Sequence, residues 1–222
     1  MNAQTESTYL GDVLKHEASN LYSREAVTVL AGSGAARVLK VGTVIARRTR
    51  SEVTVTAGAG NTGDGEVTLA DPALGALAEA GAYRLTCTTA GAAGTFQVLS
   101  PRGYRLPDLT VDTAYVGDHI NLTIADSASD FAAGDEFTVE VGGDGKAVAL
   151  DPAGVDGTAQ AIGIAAFDVT APNGSDVEVT AILRDAVLAE HAVIWPTGIA
   201  DAAKATAIAD LEARGILVRK AA

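Results

Sequence analysis

Residues 185–220 read DAVLAEHAVIWPTGIADAAKATAIADLEARGILVRK and contain the single tryptophan of the chain. The Trp195-Pro196 step ends a strand-like pattern, and an alanine-rich segment follows it. Aspartate is a favoured helix N-cap, and glycine is the residue that most easily ends a helix in the left-handed conformation. We therefore predict a short helix that Asp201 caps and Gly215 ends, followed by an apolar closing strand.

The predicted helix has a narrow apolar stripe made of Ala205, Ile208, Ala209 and Leu211. Trp195 is the natural anchor for such a small helix, because a side chain of this kind buries roughly 150–250 Å². We therefore expect the stripe to pack on the tryptophan.

This C-terminal unit resembles the end of the lambda-type head decoration proteins of tailed phages. In that family a V-(I/L)-W-P step precedes an acidic-capped helix, a small residue and a short strand, and residues 193–218 follow the same order. A second resemblance lies near the other end, where the family often has a YSRE-V-V-G segment before a GTVI strand. The matching positions are Tyr22, Ser23, Arg24, Glu25, Val27 and Val29.

The middle of the chain departs from the family pattern. Family members pass quickly from the GTVI strand to a segment that is KAVALDPAGVDG here, at residues 146–157. The intervening residues 57–145 have glycine-rich ends and short alternating strands between glycine, proline and aspartate turns, which is typical of a sandwich or small barrel. We predict a mainly β protein with one or two short helices, in which a β-rich decoration-protein domain (21–56 plus 146–222) is interrupted by a β-sandwich-like insertion and preceded by a flexible arm (1–20).

The net charge of −12 is concentrated in the predicted insertion, where residues 57–145 carry 13 acidic and 3 basic side chains. Such a surface repels nucleic acid and anionic membrane, so we expect neither as a partner. No apolar run approaches the ~20 residues of a membrane helix. The N-terminus lacks a basic-then-apolar signal pattern, so we expect no export.

Residues 37–50 form a basic segment with five basic side chains and no acidic one. Two interpretations remain open. The charges would protect a solvated strand edge from pairing with other edges, or they would contact an acidic partner surface such as a capsid shell.

The sequence offers no set of residues for catalysis or metal binding. Cys87 is the single cysteine and lies in an alternating strand pattern, which favours a buried small apolar side chain. His16, His119 and His191 have no metal-binding spacing, and no nucleotide-binding or nucleophile motif is present. We therefore expect no enzyme, cofactor or metal.

The resemblance implies a structural virion protein that binds the major capsid protein. Family members form homotrimers at local threefold positions on the outer face of the expanded head and stabilise it against internal pressure. Their N-terminal arm, disordered when free, adds a strand to the capsid protein. The resemblance thus implies synthesis in the host cytoplasm and location on the outer capsid surface, and position alone predicts capsid contacts at Tyr9, Leu10, Val13 and Leu14.

Two further groups of residues are candidates for interaction. Trp195 and Pro196 are expected to shape the domain or its trimer contacts. A second hypothesis is a binding module, in which the inserted domain recognises host-surface carbohydrate and Tyr83, Tyr104 and Tyr115 stack on the sugar.

Overall fold

The structure, a computed structural model, describes residues 8–220. These residues form two compact units, the first made of residues 8–48 and 145–220 and the second of residues 49–144. Both units are mainly β, which confirms the predicted fold class.

The first unit contains elements from both ends of the chain. Before the second unit these are α1 (Leu10–Val13), β1 (Leu14–Glu17), α2 (Asn20–Ser23), β2 (Arg24–Val29), β3 (Arg37–Leu39) and β4 (Val44–Arg47). The second unit contains β5 (Glu52–Ala57), β6 (Val67–Leu74), β7 (Gly81–Thr89), β8 (Thr95–Leu99), β9 (Leu109–Thr110), β10 (Ile120–Ile124) and β11 (Glu136–Gly142). The first unit then resumes with β12 (Ala147–Ala149), β13 (Ala161–Ala165), β14 (Val169–Ala171), β15 (Val177–Ile182), β16 (Ala186–Ala189), a 3-10 turn (Glu190–Ala192), α3 (Asp201–Glu212) and β17 (Ile216–Arg219).

A closed barrel with the strand order β12-β2-β15-β13-β4 is the centre of the first unit. β2 pairs with β15 in antiparallel register over six residue pairs. Because side chains alternate along a strand, Val27 and Val29 point into the core while Thr28 between them stays exposed. β13 needs a glycine at Gly163, because a Cβ there would meet the backbone of Ile182.

The C-terminal helix packs beside the barrel in a way that only partly matches the prediction. Gly215 adopts the predicted left-handed conformation, with φ of +74°. The N-cap, however, is Ala200, and Asp201 is the first helical residue. The predicted stripe is correct for Leu211, which is buried together with Ala207. It is wrong for Ala205 and Ala209, which are exposed.

The prediction of a flexible arm over residues 1–20 is wrong for the described part of that segment. Val13 at the end of α1 is 0% exposed and lies in the core of the first unit. β1 pairs with β16, in a sheet with the order β1-β16-β17. The short helix and strand have no sustained period, so the sequence did not reveal them. Residues 1–7 of the predicted arm lie outside the described residues.

The second unit is built on a five-stranded sheet with the order β5-β11-β7-β8-β9, together with the pair β10-β6. Alternating residues of β7, Tyr83, Leu85 and Cys87, are buried, which confirms the prediction for Cys87. The phenyl rings of Phe96 and Phe131 meet edge to face, with their centroids 5.2 Å apart. One cluster of apolar side chains thus forms the core of this unit.

The boundary predicted at residue 57 lies too far along the chain. β5 pairs with β11 along its whole length, so residues 52–57 belong to the second unit.

In each unit, the residues at which the chain leaves and returns are joined by a hydrogen bond. The Gly145 N–H donates to the Arg48 carbonyl oxygen in the first unit, at 2.9 Å, and the Asp144 N–H donates to Ser51 Oγ in the second, at 3.3 Å.

Candidate functional site

A groove of about 500 Å³ lies beside the first described residues of the chain. We call it the N-terminal groove. It is lined by Thr8, Tyr9, Asp12, His191, Ala192, Val193 and Ile194. Tyr9 is 67% exposed, and Ile194 is also among the exposed large apolar side chains. The groove therefore presents apolar side chains to solvent next to the N-terminal residues.

Backbone hydrogen bonds hold both walls of the N-terminal groove. In one wall, the Tyr9 N–H donates to Asp12 Oδ2 at 2.8 Å, and the Asp12 N–H donates to the Tyr9 carbonyl oxygen at 2.9 Å. In the other wall, the Ile194 N–H donates to the Gly42 carbonyl oxygen at 2.9 Å. Val13 at the end of α1 packs closely against Gly42, since a Cβ on Gly42 would approach a Val13 methyl group to 3.0 Å.

Trp195 follows the groove and is half-buried against the core of the first unit. The Lys204 ammonium lies 5.3 Å from the centroid of its ring and 2.9 Å from Glu190 Oε1. This hydrogen bond from Lys204 lowers the pKa of Glu190. The Trp195 Nε1–H is buried and has no hydrogen-bond acceptor among the described residues. Buried donors are nearly always paired, so this enclosed donor is an exception within the first unit.

The four predicted capsid-contact residues differ in their accessibility. Tyr9 is exposed, whereas Leu10 and Leu14 are half-buried and pack against the core. Val13 is fully buried. The prediction of a capsid contact is therefore wrong for Val13, because its side chain fills the core of its own unit.

The basic segment 37–50 forms contacts within the unit to which each residue belongs. The Arg37 Nε–H donates to the Leu30 carbonyl oxygen, Lys40 pairs with Asp168, Arg47 with Glu25 and Arg48 with Asp156, and Arg50 donates to the Ala78 carbonyl oxygen. Three of the five positive charges therefore pair with carboxylates of their own unit, whereas Arg37 and Arg50 contact neutral carbonyl oxygens. The Lys40 and Arg47 side chains stay partly exposed.

The three tyrosines predicted to stack on sugar occupy different environments. Tyr83 is 0% exposed. Its hydroxyl accepts a hydrogen bond from the Glu79 N–H at 2.7 Å and lies 3.2 Å from His119 Nδ1. Burial raises the pKa of Tyr83. The prediction of stacking is therefore wrong for Tyr83, because no sugar can reach its ring.

The other two tyrosines are accessible. Tyr104 is 65% exposed. Tyr115 is half-buried, and burial raises its pKa. It lines a cleft of about 320 Å³ with Leu106, Pro107, Val116, Gly117, Asp118 and His119. Tyr104 is not part of this lining, so the structure does not bring the two rings into one site.

A small pocket rich in arginine was not predicted from the sequence. We call it the arginine pocket. It has a volume of about 190 Å³ and is lined by Glu25, Arg47, Ile162, Leu183, Arg184 and Arg214. These residues come from widely separated parts of the chain, and no local motif connects them. Only the tertiary fold shows that three guanidinium groups line one cavity.

The described residues bear on metal binding and on membrane-spanning helices. Within residues 8–220, no group of three or more histidine, cysteine, aspartate or glutamate side chains is placed to hold a metal ion. In the same range, no helix combines the length and the apolar character needed to cross a membrane.

Comparison with known families gives a match that covers almost the whole chain. The family described as Bacteriophage lambda head decoration protein D matches residues 3–216. The comparison with curated proteins gives no significant match.

Among solved structures, two crystal structures of Xanthomonas campestris FlgL are similar to part of the chain. They are 20% and 19% identical to it and cover 46% and 49% of its length. The chain spans a third of the FlgL chains, with 33% of each covered. The TM-score of 0.31 in both cases is too low to support an argument about the fold.

Proposed function

Because the chain belongs to the bacteriophage lambda head decoration protein D family, we propose that it binds the expanded phage head as a trimer at local threefold positions and stabilises it against internal pressure. The single observation that carries this proposal is the family match over residues 3–216. The family is structural and non-enzymatic, and its role implies binding to the major capsid protein at the virion surface.

The capsid contact proposed for the arm is confined to the residues before α1. Nine residues in an extended conformation would span at most roughly 30–32 Å, which is enough to reach a strand on a neighbouring protein. A strand added to the capsid protein gains backbone hydrogen bonds worth about 0.5–1.5 kcal/mol each, less the cost of ordering the segment. The N-terminal groove, with exposed Tyr9 and Ile194, supports this role because it adds apolar surface where the segment joins α1.

The trimer makes this weak contact effective. Three identical segments on one rigid assembly act at high effective concentration, so their combined affinity can exceed that of one segment by about 10²–10⁴. Each segment alone would bind a capsid subunit weakly, whereas the proposed trimer would connect neighbouring capsid subunits.

Trp195 and Pro196 are the proposed trimer contacts. The Trp195 side chain is half-buried, so it keeps surface that a second copy of the chain would cover. Half-buried Pro196 lies next to it. A Trp195→Phe variant keeps an aromatic ring against the core and reduces the surface available to a second copy, so it should weaken the trimer without unfolding the unit.

The second unit is proposed to be an insertion into the family domain that makes no contribution to the capsid contact. The paired chain ends of each unit support this proposal, because inserted domains commonly begin and end at adjacent positions. Residues 49–144 carry 14 acidic and 4 basic side chains. Such a charge would keep the decorated head soluble.

Two measurements on the purified protein test the decoration role. Its mass in solution, measured by analytical ultracentrifugation, should be three times the chain mass of 22.4 kDa. Mixing with empty expanded heads of the phage that encodes it, followed by sedimentation, should recover the protein with the heads. If the intact protein stays in the supernatant, the decoration role is refuted.

Deletion of residues 2–8 tests the proposed arm separately. The shortened chain should remain a folded trimer and lose binding to heads. A chain without residues 221–222 is the matched control and should bind normally. Full decoration of heads by the shortened chain would refute the arm while leaving the decoration role intact.

An added role in carbohydrate binding is supported by the cleft at Tyr115, which combines an aromatic side chain with polar groups. We propose it only for this cleft, with Tyr104 as a separate exposed ring. A glycan array probed with the whole protein tests it. A Tyr115→Ala variant should lose any binding, and unchanged binding by that variant would exclude the cleft.

A further inference from the structure

We propose that the arginine pocket binds a carboxylate side chain of an acidic segment in a partner protein. The pocket lies in the first unit, and its volume of about 190 Å³ suits one acidic side chain. Three arginines and one glutamate line it, so its formal charge is +2. The chain as a whole carries −12, which makes this cavity an unusual concentration of positive charge.

Glu25 demonstrates the chemistry that the pocket favours. Its Oε2 accepts a short hydrogen bond from the Arg184 guanidinium, and its Oε1 lies 3.7 Å from Arg47 Nη2. A carboxylate is therefore already held between two of the three arginines. The planar guanidinium fork matches carboxylate geometry, and such charge-assisted bonds are the stronger class of hydrogen bond.

Arg214 is the group that this internal carboxylate leaves unused. It follows α3 and is exposed. Its side chain forms no ion pair with any residue of the described range 8–220. A second carboxylate that enters the pocket would therefore find a guanidinium that is not already neutralised.

The walls of the pocket favour an amino-acid side chain over a small inorganic anion. Ile162 and Leu183 are both buried and form an apolar lining beside the charged groups. Such a surface can pack against the methylene groups of glutamate or aspartate, which phosphate lacks.

The surface beside the pocket extends the same argument to a longer segment. The Arg184 guanidinium carbon also lies 5.3 Å from the centroid of the Tyr22 ring. Tyr22 and Leu21 are both exposed apolar side chains. A peptide bound through its carboxylate would thus meet apolar surface at the pocket rim.

The experiment titrates the whole protein with an acetylated and amidated hexaglutamate peptide at low ionic strength. Calorimetry measures the affinity, and the arginine Nε–Hε resonances report which side chains respond. An Arg214→Gln variant should bind roughly fivefold to tenfold more weakly. An Arg214→Lys variant should bind with an affinity between those of the native protein and the Arg214→Gln variant, because lysine keeps the charge but lacks the planar guanidinium fork.

Arg102→Gln is the matched control, since it removes the same charge from a side chain that is 73% exposed in the second unit. It should leave the affinity unchanged. Equal weakening by Arg102→Gln and Arg214→Gln would overturn the proposal, because general charge attraction would then explain binding. Circular dichroism of each variant checks that it is folded, and an Arg184→Gln variant provides an independent measurement at the same pocket.

Inorganic phosphate is the second probe. Phosphate should compete weakly with the peptide. Binding of phosphate to the pocket without binding of the peptide would overturn the assignment to a carboxylate. So would an Arg214 Nε–Hε resonance that does not change when the peptide is added to the native protein.

Discussion

Ser23 Oγ donates a hydrogen bond to the carbonyl oxygen of Asp185, at 3.1 Å, although 162 residues separate them in the chain. Ser23 is fully buried at the junction of α2 and β2. The same carbonyl accepts a hydrogen bond from the Ala18 N–H at 3.1 Å. The serine of the YSRE segment therefore connects the N-terminal elements to the turn before β16.

A Ser23→Ala variant should be less stable than the native protein. The mutation removes a buried hydrogen bond, but the Asp185 carbonyl keeps its bond from Ala18, so the free energy of unfolding should fall by only about 0.5–1.5 kcal/mol. Urea denaturation followed by circular dichroism measures the change. Ser33→Ala at an exposed position is the control and should have no effect. Equal stability of both variants would show that the Ser23 bond contributes nothing.

The sequence predicts the strand content and the turn at Gly215 because both depend on local patterns. Alternating apolar residues define β7 and β11, and a left-handed conformation needs glycine wherever it occurs. The same patterns cannot distinguish buried Tyr83 from exposed Tyr104, because the distinction depends on which surface covers each ring. The α3 stripe was wrong at Ala205 and Ala209 because alanine is common on both faces of the helix, so an alanine does not indicate which face is buried.

The arginine pocket could not be predicted for a different reason. Arg47, Arg184 and Arg214 follow or end different elements, and only the barrel and the C-terminal sheet bring them to one cavity. Residues 37–50 form a basic segment, yet three of its five positive charges pair with carboxylates of the same unit. Charge density along the sequence is therefore a poor guide to charge density in space here.

Asp135 should make stability depend on pH in the acidic range. Its buried carboxylate accepts hydrogen bonds from the N–H groups of Thr62, Gly63 and Ala132, at 2.9, 2.9 and 3.0 Å. Burial opposes ionisation, but these donors overcome it and lower the pKa of Asp135. Its stabilising effect is therefore complete above the unfolded pKa of about 3.9 and is lost as the pH falls through the lower folded pKa.

An Asp135→Asn variant tests this effect. The amide has one acceptor oxygen for three donors, so the free energy of unfolding at pH 7 should fall by about 2–3 kcal/mol. Denaturation between pH 2 and pH 7 should show the difference from the native protein shrinking at the acidic end. Exposed Asp130→Asn is the control. A difference that stays constant with pH would contradict the role of ionised Asp135.

Gly63 should not tolerate a side chain. A Cβ at this position would lie 2.8 Å from the Phe131 Cα and would also overlap the phenyl ring. Gly63→Ala should therefore cost about 1–3 kcal/mol through overpacking. Gly60→Ala in the same loop is the matched control, because a Cβ there meets no atom within 4 Å. Thermal denaturation compares the two, and similar midpoints would show that the loop moves away from Phe131 at little cost.

Substitution of Val13 tests whether α1 and β1 contribute to the stability of the first unit. Val13→Ala removes two methyl groups from a fully buried position, so it should lower the free energy of unfolding by about 1.5–3 kcal/mol. Val38→Ala, at an exposed position in β3, should cost much less.

Deletion of residues 1–20 should destabilise the unit further because it also removes β1 from β16, whereas deletion of residues 2–8 should not. Chemical denaturation of the four variants measures these differences, and native stability in the chain without residues 1–20 would mean that α1 and β1 contribute nothing to the fold.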